Sequence, residues 1–385
     1  MRKLRSALKI NVAMALCCAF ALSGLVLGQS GRLRDQAPKR KPVTDTDDLD
    51  VVKLRIEEIL LPVNVRGSNG KLPARLDKKD FIIAEDGKRQ EITSVHRSPA
   101  NVLFIIDASS DLSVTKDIHK DVNINRNIAL NVIKGLADDD QAAVITYADK
   151  VDLLSDWTKD KTAVGNQLNA RFKQGIKSDF YNAIFYAATE VLPKVEERRS
   201  VVLITDGVDS FDNLLFEEAL TALHQARATI YVVSQNGGLI REIKDKTGGV
   251  FAFYEKLDPS VRKRYDAMNA YAKQLEAAAF TMQTLAEETG GAMWNIEERL
   301  TCEDRKPQFY EKADVKKKAE TCVSVALHVI EELSTEFVIA YTSERKSDDK
   351  SFHSVKVFGT SPDVKIRTRR GIYPNLEDEP VVRKQ

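Results

Sequence analysis

Two apolar runs that each end in aspartate constrain the fold of this chain most. They are VLFIID, which ends at Asp107, and VVLITD, which ends at Asp206. Uninterrupted apolar runs are typical of strands that helices cover on both faces. Apolar residues then recur at helical spacing, as in INRNIALNVIKGLA. Strands that alternate with helices predict an α/β fold, with a Rossmann-like, doubly wound and mainly parallel sheet.

Alternating apolar and polar residues on both sides of this region predict β segments. VVKLRIEEILLPVNV and DFIIAEDGKRQEI precede it, and EFVIAYTSE and DVKIRTRRGIY follow it. A period of two residues is typical of strands. We expect the N-terminal and C-terminal β segments to pair into one accessory sandwich.

The length of 385 residues favours more than one folding unit. One long helix is expected to begin near Asp258, which would cap it, and to end at Gly290. The predicted organisation is a signal peptide at 1–28, a flexible linker at 29–48, an N-terminal β segment at 49–98, an α/β domain at 99–300 with a helical insertion around 237–279, a C-terminal β segment at 301–373 and a tail at 374–385.

The first residues predict export. A basic head, MRKLRSALK, precedes an apolar stretch, and Val26 and Gly28 are small enough for cleavage before Gln29. We expect a secreted or periplasmic protein with no membrane span after the signal is removed. An uncleaved anchor and a lipoprotein built on Cys17 or Cys18 are the alternatives.

Signal cleavage would leave two cysteines, Cys302 and Cys322. In an oxidising compartment they predict a disulfide that closes a loop of roughly 20 residues and stabilises the fold by about 3 kcal/mol. If export fails, two free thiols are expected instead.

Charge and motif content limit the function classes. The chain has 58 Lys and Arg against 57 Asp and Glu, a balance that gives no support to nucleic-acid or polybasic membrane binding. The sequence has no nucleophile elbow, no phosphate-binding glycine loop and no His-Glu-x-x-His motif. We therefore expect a protein that is not an enzyme, and a hydrolase with an unrecognised site is the weakest hypothesis.

Polar residues that follow the apolar runs predict a ligand site. In an open α/β sheet, ligands bind at the C-terminal ends of the parallel strands. The stretch DASSD supplies Asp107, Ser109 and Asp111, the second run supplies Asp206, and Ser178 opens a helix in GIKSDFYNAI. Carboxylate and hydroxyl oxygens at strand ends suit a divalent cation, and Mg²⁺ is the first expectation.

These five residues resemble the metal-ion-dependent adhesion site of von Willebrand factor type A domains, whose pattern is Asp-x-Ser-x-Ser, then a Thr, then an Asp. The flanking stretches KLPARLDKKDFIIAEDGKRQEI, LAEETGG and LSTEFVIAYTSE resemble von Willebrand A-related proteins of acidobacterial type, and the resemblance covers roughly residues 50 to 375. It implies a binding module in which the metal completes its shell with an acidic side chain of a protein partner.

The sequence departs from this pattern at two positions. Ser178 replaces Thr but keeps the hydroxyl, whereas Asp111 replaces Ser and adds a third carboxylate. Three carboxylates give about −3 against the +2 of the ion, which makes the ion less attractive to an acidic partner. The site is then expected either to prefer Ca²⁺ or to have lost partner capture, and Mn²⁺ is a further candidate ion.

Two functions follow from these observations. The first is an exported, non-enzymatic protein-interaction or adhesion-type module that uses a degenerate metal-ion-dependent adhesion site. The alternative is a metal-independent structural scaffold in a cell-envelope assembly.

Overall fold

The computed structural model describes residues 54–67, 76–110, 118, 120–211, 214–248, 251–297, 300, 302, 321–346, 349 and 351–373. The predicted signal peptide, linker and C-terminal tail lie outside the described residues, and so does Asp111. Every helix within these ranges is too short or too polar to pass through a lipid bilayer.

The described residues form thirteen strands and seven α-helices. The strands are β1 (Leu54–Gly67), β2 (Phe81–Glu85), β3 (Lys88–His96), β4 (Asn101–Asp107), β5 (Gln141–Tyr147), β6 (Val151–Thr158), β7 (Arg199–Ile204), β8 (Thr229–Ser234), β9 (Ala292–Asn295), β10 (Glu336–Lys346), β11 (His353–Gly359), β12 (Val364–Thr368) and β13 (Gly371–Ile372). The α-helices are α1 (Val122–Gly135), α2 (Lys161–Arg171), α3 (Phe180–Tyr186), α4 (Phe216–Gln225), α5 (Asn236–Thr247), α6 (Pro259–Thr289) and α7 (Cys322–Ser334). A π-helical turn, Ala187–Val191, continues α3, and short 3-10 turns lie at Lys78–Asp80, Leu192–Lys194 and Phe251–Lys256.

The apolar runs form a six-stranded sheet with helices on both faces. Its strand order is β6-β5-β4-β7-β8-β9, and β6 alone runs antiparallel to its neighbour. All seven residues of β4 are buried. Because side chains alternate along a strand, Phe104 packs on the face covered by α1, α2 and α7, whereas Leu103 packs on the face covered by α3, α4 and α6. The prediction of a doubly wound, mainly parallel sheet is confirmed.

The two β segments pair in one antiparallel sheet of seven strands, with the order β12-β1-β10-β3-β2-β11-β13. Strand β1 runs against β10 from the Leu54 and Lys346 pair to the Asn64 and Glu336 pair. Apolar residues of this sheet form a separate core that includes Ile59, Leu61 and Ile339. The expected pairing is therefore present, but as one sheet and not as a sandwich, because strands from both segments alternate within it.

Helix α7 lies in the stretch that the sequence assigned to the C-terminal β segment. Its buried residues Val325 and Val329 belong to the core between α1 and the six-stranded sheet, so the accessory sheet resumes only at β10. Cys302 and Cys322 form a disulfide at the start of α7, with their Cα atoms 5.1 Å apart.

Helix α6 has the limits that the sequence predicts. Asp258 caps it by accepting a hydrogen bond from the backbone N–H of Ser260 at 2.8 Å, and Gly290 ends it with a φ of 81°. The helix extends beyond the expected insertion around 237–279. Its last part packs Met282 and Leu285 on the six-stranded sheet, and its middle packs on α5.

A buried ion pair joins the two sheets. Arg198, just before β7, donates its Nε–H to Glu336 at 2.8 Å, and the hydroxyl of Tyr231 donates to the same carboxylate at 2.6 Å. This junction lies at the start of β7, so about 20 Å of strand separates it from the end of β7. This junction therefore does not cover the C-terminal edge of the parallel strands.

Candidate functional site

The two predicted aspartates meet at the C-terminal edge of the six-stranded sheet. Asp107 ends β4, and Asp206 follows β7, the parallel neighbour of β4. Both carboxylates are buried. Asn125 of α1 donates to the backbone carbonyl of Asp107 at 3.0 Å, and Asn236 of α5 donates to that of Asp206 at 2.9 Å. The first residues of two helices therefore hold the two strand ends in place.

Lys120 places its ammonium between these two carboxylates. Its Nζ lies 2.6 Å from Oδ2 of Asp107, 2.6 Å from Oδ2 of Asp206 and 3.1 Å from Oγ of Ser109. The side chain of Lys120 is only 6% exposed. This lysine directly precedes Asp121, which caps the N-terminus of α1. Lys120 was not among the residues predicted from the sequence, because no local pattern marks a lysine whose side chain reaches two strand ends far apart in sequence.

The two carboxylates keep the lysine charged. Burial by itself lowers the pKa of Lys120, but the charges of Asp107 and Asp206 and the hydrogen bonds to both outweigh it and raise the pKa above its ordinary value. Burial raises the pKa of the Asp107 carboxyl, the charge of Lys120 opposes this rise, and the charge of Asp206 adds to it. One ammonium therefore serves two carboxylates in a site that excludes most water.

The remaining carboxylate oxygens also have partners. Oδ1 of Asp107 accepts from the backbone N–H of Ser109 at 2.7 Å and from its hydroxyl at 2.6 Å. Oδ1 of Asp206 accepts from the backbone N–H of Val208 at 3.1 Å, and the Tyr271 hydroxyl lies 3.4 Å from Oδ2. Each of the four carboxylate oxygens thus has at least one protein donor.

Ser178 is buried next to the loop that follows Asp206. The backbone N–H of Ser210 donates to the carbonyl of Ser178 at 2.8 Å, whereas Oγ of Ser178 has no hydrogen-bond partner among the described residues. Asp209 caps the start of α3, because it accepts from the backbone N–H of Tyr181 at 3.1 Å. Asp111, the fifth predicted site residue, lies outside the described residues.

The placed residues do not fit a divalent cation while Lys120 is present. Mg²⁺ needs oxygen ligands at about 2.0–2.1 Å in octahedral geometry, but an ammonium lies between the two carboxylates that would supply them. The unpartnered hydroxyl of Ser178 is the one observation on these residues that favours an ion. Within the described part of the chain, no group of three or more His, Cys, Asp and Glu side chains has an arrangement that could hold a metal.

A cleft opens directly beside Asp206, and we call it the strand-end cleft. It has a volume of about 480 Å³ between the loop after β7, the start of α4 and α6. Leu215 at its edge is 65% exposed, and Phe280 on the neighbouring turn of α6 is 76% exposed. The cleft is lined by Tyr181, Gly207, Val208, Asp209, Phe211, Leu214, Leu215, Phe216, Glu217, Gln274, Ala277, Ala278 and Thr281. Most lining residues have apolar side chains and two carry carboxylates, and the exposed surface of the cleft is about half polar.

Comparisons with known proteins agree with this fold. The family model of the von Willebrand factor type A domain matches residues 102–208, which include Asp107, Ser109, Ser178 and Asp206. No curated protein matches the chain.

Several solved structures are similar to part of the chain. An aerotolerance-related membrane protein from Bacteroides fragilis is 19% identical, and the match covers 35% of this chain and 66% of that chain with a TM-score of 0.29. Proximal thread matrix protein 1 from the mussel byssus, solved with a zinc-occupied adhesion-site motif, is 20% identical over 36% of each chain, with a TM-score of 0.30. A von Willebrand factor type A protein from Catenulispora acidiphila is 13% identical over 57% of this chain and 53% of that chain, with a TM-score of 0.31.

Each of these three matches spans less than two thirds of the solved chain. The family match over residues 102–208, which lie in the doubly wound sheet, shows that the chain contains a von Willebrand factor type A domain.

Proposed function

We propose that this chain is a non-enzymatic protein-binding module whose partner docks on the strand-end cleft. Domains of this family generally serve adhesion or protein interaction. The observation that carries the proposal is the cleft beside Asp206, where exposed Leu215 offers an apolar contact at the edge of a lining that is about half polar. An apolar side chain of the partner that fills such a cleft would contribute most of the binding energy.

The charge of the site favours binding without a metal bridge. Asp107 and Asp206 carry two negative charges and Lys120 carries one positive charge, so the group is about −1 and does not attract an acidic side chain. The proposed module therefore corresponds to the metal-independent alternative, with the partner held by the cleft. Asp209 and Glu217 in the lining favour a partner that brings a basic residue next to its apolar anchor.

A metal-bridged adhesion site is the second candidate. In that case Mg²⁺, Ca²⁺ or Mn²⁺ would be held by Asp107, Ser109, Asp111, Ser178 and Asp206 and would capture an acidic side chain. The Oγ of buried Ser178, which has no partner in the described part of the chain, favours this candidate, but Lys120 would have to leave the carboxylates first.

We place the module outside the cytoplasm, secreted or in the periplasm. The signal-like first 28 residues support export. The disulfide between Cys302 and Cys322 supports an oxidising compartment, because cytosolic thiols are kept reduced.

Capture of partners from a cell-envelope extract tests the docking face. The variant is Leu215→Ser, and the control is Leu327→Ser, at an exposed position of α7. Residue 215 is the N-cap of α4, and Ser there forms a capping box with Glu218, so the fold should not suffer. Loss of the leucine contact, worth about 2 kcal/mol, should reduce retention of the partner roughly thirtyfold.

The two variants separate the outcomes. A partner retained by the wild type and by Leu327→Ser, but lost by Leu215→Ser, supports the proposed face. A partner retained equally by both variants would exclude the strand-end cleft as its binding site.

A further inference from the structure

We infer that Lys120 is a tethered cation that takes the place of a divalent ion at the strand-end site. This inference concerns the site itself and holds whichever partner binds the cleft.

The hydrogen bonds of the ammonium are complete. A lysine ammonium has three N–H donors, and Nζ of Lys120 has three acceptors: Asp107 Oδ2, Asp206 Oδ2 and Ser109 Oγ. These acceptors come from two strand ends and from the loop after β4. An ion at the same place would neutralise the same two carboxylates and contact the same hydroxyl.

The backbone next to Lys120 is fixed at the sheet edge. Asp121 accepts from the backbone N–H of Asn123 at 3.0 Å and so begins α1 at this point. One turn later, Asn125 donates to the Asp107 carbonyl at 3.0 Å and accepts from Gln235, which follows β8, at 2.7 Å. Because the first turn of α1 is tied to the ends of β4 and β8, the two neighbours of β7, the lysine stem starts close to the carboxylates.

Burial distinguishes this pair from ordinary surface ion pairs. The side chains of Lys120, Asp107 and Asp206 are 6%, 0% and 3% exposed. Surface pairs contribute little, whereas removal of one partner from a buried pair leaves a charge that is neither solvated nor neutralised. Without Lys120, two buried carboxylates would repel each other, and a proton or a divalent cation could relieve this repulsion.

The site without the lysine has the donor types that a hard cation takes. Asp107 and Asp206 supply carboxylate oxygens and Ser109 supplies a hydroxyl, and the Oγ of buried Ser178 has no hydrogen-bond partner among the described residues. The wild-type chain should therefore bind divalent ions weakly or not at all, and removal of the Lys120 ammonium should restore binding.

Calorimetric titration of the EDTA-stripped full chain with Mn²⁺ tests this. The variant is Lys120→Ala, and the matched control is Lys177→Ala, which removes an exposed lysine on the same face that contacts the Phe211 ring and not the two carboxylates. Lys120→Ala should bind Mn²⁺ at least roughly tenfold more tightly than the wild type, because a like charge no longer competes. The control should behave as the wild type does.

Three results would overturn the inference. They are saturable Mn²⁺ binding by the wild type as tight as that of Lys120→Ala, no gain of binding in Lys120→Ala, and an equal gain in Lys177→Ala. If Lys120→Ala does not fold without metal, refolding with Mn²⁺ replaces the titration. Recovery of folded protein with Mn²⁺ supports the inference, and failure to recover it contradicts it.

Discussion

At the scale of single residues, a buried histidine links stability to pH. His224 on α4 is buried, and its ring meets Phe352 at 5.8 Å and Tyr373 at 6.3 Å between ring centres. Burial, with a smaller effect of the charge on Arg369, lowers the pKa of His224 from 6.5 to about 4. The unfolded chain therefore takes up a proton at a higher pH than the folded chain does, so stability falls as pH falls below 6.5.

Replacement of this histidine should flatten the pH dependence. At pH 5 the wild type should lose about 2 kcal/mol of unfolding free energy through His224 alone. Urea denaturation of wild type and His224→Leu at pH 7 and pH 5 measures this difference. His328→Leu on α7 is the control, because that imidazole is exposed to solvent. An equal loss on acidification in wild type and His224→Leu would show that His224 is not the group responsible.

At the scale of elements, the end of α6 ties the long helix to the accessory sheet. Gly290 has a φ of 81°, and a Cβ there would lie 2.5 Å from the backbone N of Arg369 and 2.5 Å from the backbone C of Thr368. Both the left-handed conformation and the close approach therefore require glycine at this position. The site-bearing domain and the accessory sheet meet here with no room for a side chain.

Alanine at this position should destabilise the chain. We expect Gly290→Ala to reduce the free energy of unfolding by more than about 2 kcal/mol, since the left-handed conformation and the clash both count against it. Gly165→Ala within α2 is the matched control, because the nearest atom to its Cβ is 3.6 Å away. That control should be stabilised by roughly 0.5–1 kcal/mol. Chemical denaturation would contradict this account if the two variants changed stability in the same direction.

The features that could be predicted from the sequence are those set by a few neighbouring residues. The limits of α6 followed from Asp258 and Gly290, and the strand-end positions of Asp107 and Asp206 followed from the apolar runs before them. Lys120 could not be found in this way, because its contacts depend on where a long, flexible stem ends relative to two strands far apart in sequence. The single accessory sheet was also missed, since alternation shows that strands form but not which strands become neighbours.

At the scale of the whole molecule, the chain combines an accessory sheet with an open cleft that we propose as its binding face. The junction of Arg198, Tyr231 and Glu336 fixes the accessory sheet at the start of the parallel strands. The strand-end cleft lies beyond their opposite ends, next to Asp206. A partner can therefore approach the cleft without displacing this junction. Next to the cleft, Lys120 offsets part of the negative charge of Asp107 and Asp206.

The most direct test of the central claim is thermal unfolding of the EDTA-stripped full chain, with and without excess Mg²⁺, Mn²⁺ or Ca²⁺. An ion that binds only the folded state raises the Tm by mass action. Because Lys120 already neutralises the carboxylates, we predict the same Tm with EDTA and with each ion. A clear rise in Tm with any of the three ions, abolished by Asp107→Asn, would contradict the account and show that the chain has a working metal site.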